Sequence, residues 1–389
     1  MKGIASLTLE ERLRQLIALP SVSCSLPEWD QSNKAVIDLL AHWFEDLGFA
    51  VEVRPISGAP GKYNLVAVKG QGPGGLVLAG HTDTVPYNAE RWSQDPFRLT
   101  ERDQRYYGLG TCDMKGFFAI VTEAVQVFQD RDLQQPLIIL ATADEESSMS
   151  GARALAAQGF PRARYAVIGE PTGLRPIRMH KGIMMESLRV TGQAGHSSDP
   201  SLGRNAIDAL HDMMGALIQL RRQLQQDHQN PQFRVAHPTL NFGCIHGGDN
   251  PNRICNACEL QFDLRLLPGM DNDAMREQIR NLVAPIAQRH EVQVELQPLF
   301  AGVDAFEEPA DAELVKVCEQ LTGYTAGAVA FATEAPYLQQ LGMQTLVLGP
   351  GHIDQAHQPD EYLALDQIAP AIRLLRQLIE RFCLEGSPS

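Results

Sequence analysis

No apolar run in this 389-residue chain approaches the ~18–20 residues that a membrane span needs. Met1 to Leu16 carries charges where a signal peptide needs its apolar stretch, so the expected location is the cytoplasm. Positive charge is in deficit. Against 47 Asp and Glu stand 33 Lys and Arg, and the net charge of −14 excludes nucleic acid and anionic membrane as natural partners, since both would repel it. A disulfide framework is missing as well: seven cysteines, an odd number, are scattered over a long chain. Only Cys255-x-x-Cys258 has a motif-like spacing. It falls in Ile254–Leu266, which reads as a strand, where an offset of three turns the two thiols to opposite faces. With no second pair to complete a tetrahedral site, core or surface thiols are expected there rather than zinc. Internal repeats and low-complexity segments are absent. So is the Gly-x-Gly-x-x-Gly of a dinucleotide site: the loop Gly108-Leu109-Gly110-Thr111-Cys112-Asp113 has another spacing and no tight strand immediately before it.

The length exceeds what one core usually serves, and 44% apolar with 21% charged residues is ordinary for a soluble enzyme. Some of the acidity can sit in a metal site. Apolar periodicity predicts helices over Thr8 to Leu19 and Asp30 to Leu47, then strands at Phe49–Val53, Leu65–Val68 and Leu76–Ala79. A helix at Phe117–Phe128, a strand at Leu137–Ala141, a helix at Gly151–Gly159 and a strand at Tyr165–Ile168 follow. After His180 the pattern changes to strand Met184–Thr191, helix Asn205–Leu224, strands Arg234–Phe242 and Ile254–Leu266, helix Asp273–Gln288 and strand Val292–Leu299. That order is βαββαβ, the split ferredoxin-like unit. From Asp311 the first pattern resumes, with helices Asp311–Gln320 and Pro336–Leu341, strand Thr345–Leu348, helix Leu365–Phe382 and a frayed tail at Glu385–Ser389. The expectation is an α/β domain of residues 1–181 and 299–389, with residues 182–298 inserted as a second domain.

Candidate ligands gather where the apolar strands end: His81, the Glu145–Glu146 pair, Glu170, and His357 in the loop after Leu346–Leu348. Asp113, in the loop opening a helix, is a fifth position. Each has a plain alternative, as a polar turn or a surface histidine. Their joint placement points elsewhere, because ligands of open α/β sheets collect outside the carboxyl ends of parallel strands. Asp83 follows His81 at i+2, on the same face of an extended segment, and a nearby carboxylate is the usual group that orients a ligating imidazole. Two histidines and three carboxylates suit two zinc-like ions held close together, and with only five ligands one carboxylate must bridge. Three carboxylates offset three of the four metal charges, and a shared hydroxide the fourth. Such a pair activates water, and a further carboxylate beside it is then needed to carry a proton to a leaving amine.

These residues resemble the two-zinc amidohydrolases and peptidases. The matching segments are Gly80-His81-Thr82-Asp83-Thr84-Val85-Pro86, Gly108–Gly116, Asp144-Glu145-Glu146, Gly169-Glu170-Pro171 and Gly195-His196-Ser197, which fall in order along nearly the whole chain. The resemblance implies a zinc-peptidase-like catalytic domain with a mostly parallel central sheet, and an inserted ferredoxin-like lid that mediates homodimerisation. It implies that His81, Asp113 and Glu170 hold one ion and that Asp113, Glu146 and His357 hold the other. Asp83 would orient His81, and Glu145 would be the general acid/base. His196 is implied to reach a neighbouring subunit's site and donate to the developing oxyanion, with Asn252 and Arg265 holding a substrate carboxylate. The implied cofactor is two divalent ions, zinc first, although the same ligands suit cobalt and manganese.

The implied substrate is a small N-acyl amino acid. Three segments, Gly110–Gly116, Phe331-Ala332-Thr333-Glu334-Ala335-Pro336 and Gly349-Pro350-Gly351 through Glu361, most resemble members that take an acetyl group from an amino acid with a cationic side chain. Gly349 and Gly351 join the substrate-binding set. Glu334 is the candidate for the cation, with a charge at a helix N-terminus as its alternative. Members that remove a succinyl group, or act on a broader range of acyl amino acids, are the rival readings. A silent binding protein on the same scaffold should have lost a ligand or the base, and none is missing.

Overall fold

Gly80 and Gly169 explain how the centre of the molecule closes. A Cβ on Gly169 would lie 2.4 Å from the Phe117 ring, and one on Gly80 would lie 2.6 Å from Met114 Cε. Both glycines stand near the carboxyl ends of buried strands, Leu76–His81 and Tyr165–Pro171. Their missing side chains let the helix Lys115–Val125 press onto the sheet there, and that helix begins two residues after Asp113.

A computed structural model describes residues 3–384, so the tail Glu385–Ser389 lies outside the described residues. The chain divides into two compact units, one of Met1–Arg178, Glu308–Gly327 and Thr333–Ser389, the other of Met179–Glu307 with Ala328–Ala332. The second unit is therefore wider at both ends than residues 182–298. Pairing of Phe306 with His180 and of Glu307 with Met179 keeps those residues with it.

In the first unit the sheet runs Ala50–Pro55, Tyr63–Lys69, Leu137–Thr142, Leu76–His81, Tyr165–Pro171, Gln344–Gly349. The last four strands are mutually parallel, and the first two are antiparallel additions at one edge. Leu137–Thr142, Leu76–His81 and Tyr165–Pro171 are buried at every residue, as expected of parallel strands covered on both faces. The apolar stripes of Leu9–Ile17, Lys34–Asp46, Lys115–Val125 and Leu365–Ile379 supply much of that cover, through Leu13, Leu16, Trp43, Phe44, Phe118, Leu375 and Leu378. Thr8 caps the first helix, and Glu11 returns the bond in a capping box.

Among the elements that differ from the sequence reading are two in the first unit. The second helix starts at Lys34, not Asp30, because the residues before it are spent on tertiary bonds. Asp30 accepts from Lys62 Nζ at 2.7 Å, and the Asn33 amide pairs with the main chain of Tyr63 and with Thr82. A three-stranded antiparallel sheet, Thr100–Arg102, Arg105–Tyr107 and Tyr362–Ala364, was not foreseen. Its hairpin turns through Asp103 and Gln104, both at positive φ (52° and 58°), the geometry of a type I′ turn without the usual glycine.

The second unit is a βαββαβ arrangement. Its four-stranded antiparallel sheet runs Thr239–Gly247, Ala257–Arg265, Met184–Thr191, Gln293–Pro298. The helices Ala206–Asp227 and Asn272–His290 pack on it around Leu188, Leu210, Met213, Leu260, Phe262 and Ile279. The second strand begins at Thr239 rather than Arg234, since Asn230 and Ala236 close a turn ahead of it. Cys255 precedes its strand and Cys258 lies within it. Both are buried, and each thiol faces a main-chain carbonyl, of Ala257 and Ala206 respectively, at 3.1 Å. They are core thiols.

Glu186, fully buried in this unit, is paired with Arg276 at 2.8 Å, and Arg276 also reaches Asp273 and the Ala301 carbonyl. Arg276→Ala would leave the carboxylate alone in the core. The expected loss of unfolding stability is about 3–5 kcal/mol, read from the urea midpoint. A loss under ~1 kcal/mol would mean that the pair contributes no more than an exposed one.

Candidate metal centre

Four stretches of the first unit converge at the carboxyl ends of its parallel strands. His81 ends one strand, and Glu170 is the next-to-last residue of another. Asp144-Glu145-Glu146 follows Leu137–Thr142, and His357, at φ 60°, follows Gln344–Gly349. Asp113 stands between the two imidazoles. One of its oxygens is 3.0 Å from His81 Nε2, and the other is 3.5 Å from His357 Nε2. Glu170 Oε1 lies 3.7 Å from His81 Nε2, and Glu146 Oε2 lies 3.0 Å from His357 Nε2. Donor atoms of His81, Asp113 and Glu146 lie within 4.8 Å of one another, as do those of His81, Glu145 and Glu170. Six ionisable side chains thus share one pocket of the fold, and Glu145 is as near to His81 and Glu170 as a ligand would be.

So many carboxylates in one place repel one another. Burial, then the Glu170 carboxylate, pushes the Glu145 carboxyl well above its usual range. Burial does the same to Glu170, whose other opponents are Asp113 and Glu146. Burial alone would drive the proton off His81, but the Asp113 hydrogen bond and the charges of Glu170, Asp83 and Glu145 outweigh it, and the imidazole is held well above its ordinary value. His357 is raised to about 9, first by its bond to Glu146. Even so, Glu146 Oε1, Glu170 Oε1 and Asp83 Oδ1 are buried and accept no hydrogen bond, an arrangement that costs free energy unless a cation answers it. The donors are oxygen and nitrogen. The thiol of Cys112, next to Asp113 in sequence, faces the His352 carbonyl at 3.6 Å. Residues of this kind fit divalent ions such as zinc, cobalt or manganese.

Residues 77–381 match the sequence profile of peptidase family M20/M25/M40. The chain belongs to this family. It is 51% identical over 370 residues to the acetylornithine deacetylase of Edwardsiella ictaluri, covering 95% of this chain and 96% of that one. It is 48% identical over 377 residues to the acetylornithine deacetylase of Photorhabdus laumondii, covering 97% and 98%. Among solved structures, a Staphylococcus aureus tripeptidase superposes with a TM-score of 0.74 at 18% identity, over 96% of this chain and 97% of its own. A Bacillus subtilis protein described as a dinuclear metal binding peptidase from the M20 family superposes with a TM-score of 0.68 at 14% identity, over 97% and 98%. These two likenesses bear on the fold. Family and relatives together make this chain a metal-dependent amidohydrolase.

Around the M20 cluster the structure distributes the other expected residues unevenly. Asp83 is fully buried; its carboxylate is 3.7 Å from His81 Nδ1, but its main-chain carbonyl is nearer, at 3.0 Å. The carboxylate accepts instead from the Glu146 N–H at 3.1 Å and so links the two ligand-bearing segments. Glu334 occupies the N-cap position of Ala335–Gln340, yet its side chain makes no capping bond. It is buried and accepts from Thr142 Oγ1 at 2.9 Å, while its other oxygen has no donor. Burial, first of all, raises it to about 7. Gly349 and Gly351 have their carbonyls committed to N–H groups of Leu174 and Gly173. A Cβ on Gly349 would lie 2.0 Å from the Gly169 carbonyl.

The remaining three expected residues belong to the inserted unit. His196 is exposed, with Nδ1 2.7 Å from Ser198 Oγ; it lies beyond the strand Met184–Thr191 and makes an isolated antiparallel bridge to Arg253, beside Asn252. Arg265 is half-buried, with its Nε 3.0 and 3.1 Å from the two Asp263 oxygens.

Sequence reasoning missed two supports. Asp144, at φ 60°, is held by Lys62 Nζ at 2.7 Å and by the Ser23 and Ser150 hydroxyls. Glu361 gathers the loop that carries Asp113. Lys62 has no local signal, whereas Glu361 stands four residues after His357 and could have been suspected.

Proposed function

We propose that this chain hydrolyses N-acetyl-L-ornithine to L-ornithine and acetate with two divalent metal ions, zinc by preference. The observation that carries the chemistry is the Asp113 carboxylate, one oxygen toward each imidazole at 3.0 and 3.5 Å. The substrate rests on about 50% identity, over nearly the whole chain, to relatives named for that reaction. In this reading His81, Asp113 and Glu170 would hold one ion, and Asp113, Glu146 and His357 would hold the other. Such ions would supply Lewis acidity toward the acetyl carbonyl and the attacking water.

The protein's own part is proton handling and orientation. Glu146 and Glu170 each approach an imidazole, at 3.0 and 3.7 Å; Glu145 makes no such ion pair among the described residues and is assigned the proton. It accepts one from the water as the new C–O bond forms, and delivers it to the ornithine nitrogen as the C–N bond breaks. Asp83 fixes the His81 ring. Asn252, Arg265, Gly349 and Gly351 complete the substrate-binding set, with Arg265 exchanging part of its Asp263 contact for the α-carboxylate.

Glu334 is assigned the cationic side chain, supported by its one unpartnered oxygen. Glu334→Gln is expected to cost acetylornithine ~1–3 kcal/mol more in kcat/KM than N-acetylmethionine, which has no side-chain charge. Equal losses on both would make Glu334 a support for Thr142 instead.

The same reading makes the enzyme a cytoplasmic homodimer joined through the inserted unit. All seven cysteines are free, as a reducing compartment keeps them. The edge strand Thr239–Gly247 is largely exposed, with Ile245 58% exposed, and it is open to pairing with a second copy. His196 then serves the partner's site as a donor to the carbonyl oxygen. Mixed dimers of His196→Ala and Glu145→Ala subunits, each inactive alone, should regain activity, because one site in each carries neither defect. No recovery in verified mixed dimers would remove the shared site. The reaction itself is tested by ornithine release from purified protein.

A further inference from the structure

Asp113 lies in a stretch, Gly108 to Met114, that belongs to no helix or strand, so its N–H groups need other partners. One side chain supplies three of them. Glu361 Oε1 accepts from Cys112 N at 2.8 Å, Asp113 N at 3.0 Å and Gly110 N at 3.1 Å, and Oε2 also reaches Gly110 N at 3.1 Å. The Glu361 main-chain carbonyl accepts from Gly108 N at 3.0 Å. The loop therefore wraps a carboxylate that is 1% exposed. It bends there through Gly110, at φ +86°, where a Cβ would lie 2.6 Å from Lys115 Cε.

The other end of this clamp is equally fixed. Tyr362 pairs with Tyr107, so the residues on either side of the clamp are held in antiparallel register. His357 stands four residues before Glu361 on the same short segment. The Asp113 loop and the His357 segment are thus joined by one side chain in addition to main-chain pairing. We propose that Glu361 is the positioning residue of the metal centre, fixing the Asp113 backbone against the His357 segment and so the spacing that Asp113 bridges. This rests on the reading of Asp113 and His357 as metal ligands. A ligand moved by a fraction of an ångström loses much of its grip, and partners behind the ligands are worth about 10–100-fold in metal affinity.

Two conservative variants separate positioning from general support. Glu361→Gln keeps an acceptor oxygen at the same reach; Glu361→Asp keeps the charge and withdraws it by one methylene. Cobalt binding by equilibrium dialysis, and the visible spectrum of the cobalt-loaded protein, are compared with the wild type, with melting temperatures of the metal-free proteins as a fold control. Glu361→Asp should bind the more weakly held ion at least tenfold less tightly and show an altered spectrum. Glu361→Gln should bind within about threefold of wild type with the wild-type spectrum. Wild-type binding and spectrum in Glu361→Asp would overturn the inference. So would equal weakening in both variants, which would make charge rather than reach the requirement. If Glu361→Asp fails to fold, metal loss in a folded Glu361→Gln overturns it. His357→Ala distinguishes the parent reading: if it still binds two equivalents, His357 is no ligand, and the positioning role falls with it.

Discussion

Glu145→Ala is expected to keep both metal ions and to lose about 10²–10⁴-fold or more in turnover, the range of a positioned proton carrier. Glu146→Ala, one residue on, is expected to fail in another way, by losing metal. The two side chains leave the same turn, beyond Leu137–Thr142, but meet different partners. Glu146 Oε2 is 3.0 Å from His357 Nε2, and its N–H is tied to Asp83. Glu145 is pushed toward its protonated form by burial and by Glu170, and among the described residues it makes no ion pair with an imidazole. Removing Glu146 therefore takes away a donor atom; removing Glu145 takes away a proton acceptor. Metal content by atomic emission, beside kcat, checks both. Because Glu145 also lies within ligand reach of His81 and Glu170, the comparison decides a point that distance leaves open. Equal metal loss in the two variants would reverse the roles.

Chelation should abolish turnover, and zinc or cobalt should restore it. Among the described residues the groups able to hold a metal gather at this cluster. Its carboxylates turn toward one another and toward two imidazoles, and several of their oxygens are buried without a donor. Metal binding should also raise the melting temperature, because an ion that binds only the folded site stabilises by about 2.7 kcal/mol at one hundred times its Kd. Full activity in demonstrably metal-free protein would contradict the mechanism, and an unchanged melting temperature on reloading would place the ions elsewhere.

The legible part of this protein was the part written locally. Leu76–Leu78 and Leu137–Leu140 announce buried parallel strands because both faces are covered, and polar residues at their ends stand out against such runs. The βαββαβ order was readable for the same reason, each element carrying its own period. What was not legible depends on partners far along the chain. Asp30 to Asn33 has helical character, but Lys62, Tyr63 and Thr82 claim those side chains first. The small sheet needs Tyr362–Ala364 to reach back to Arg105–Tyr107. Glu361 meets Gly110 across 251 positions. For Asp83 the nearer contact to His81 is a main-chain carbonyl, which side-chain chemistry could not foretell.

The most direct test is kcat/KM of the zinc- or cobalt-loaded enzyme for N-acetyl-L-ornithine, measured beside N-succinyl-diaminopimelate and N-acetylmethionine. Acetylornithine should be preferred over both, with ornithine and acetate released in equal amounts. A higher kcat/KM for the succinyl substrate, or no turnover of acetylornithine by protein carrying its full metal content, would contradict the assignment.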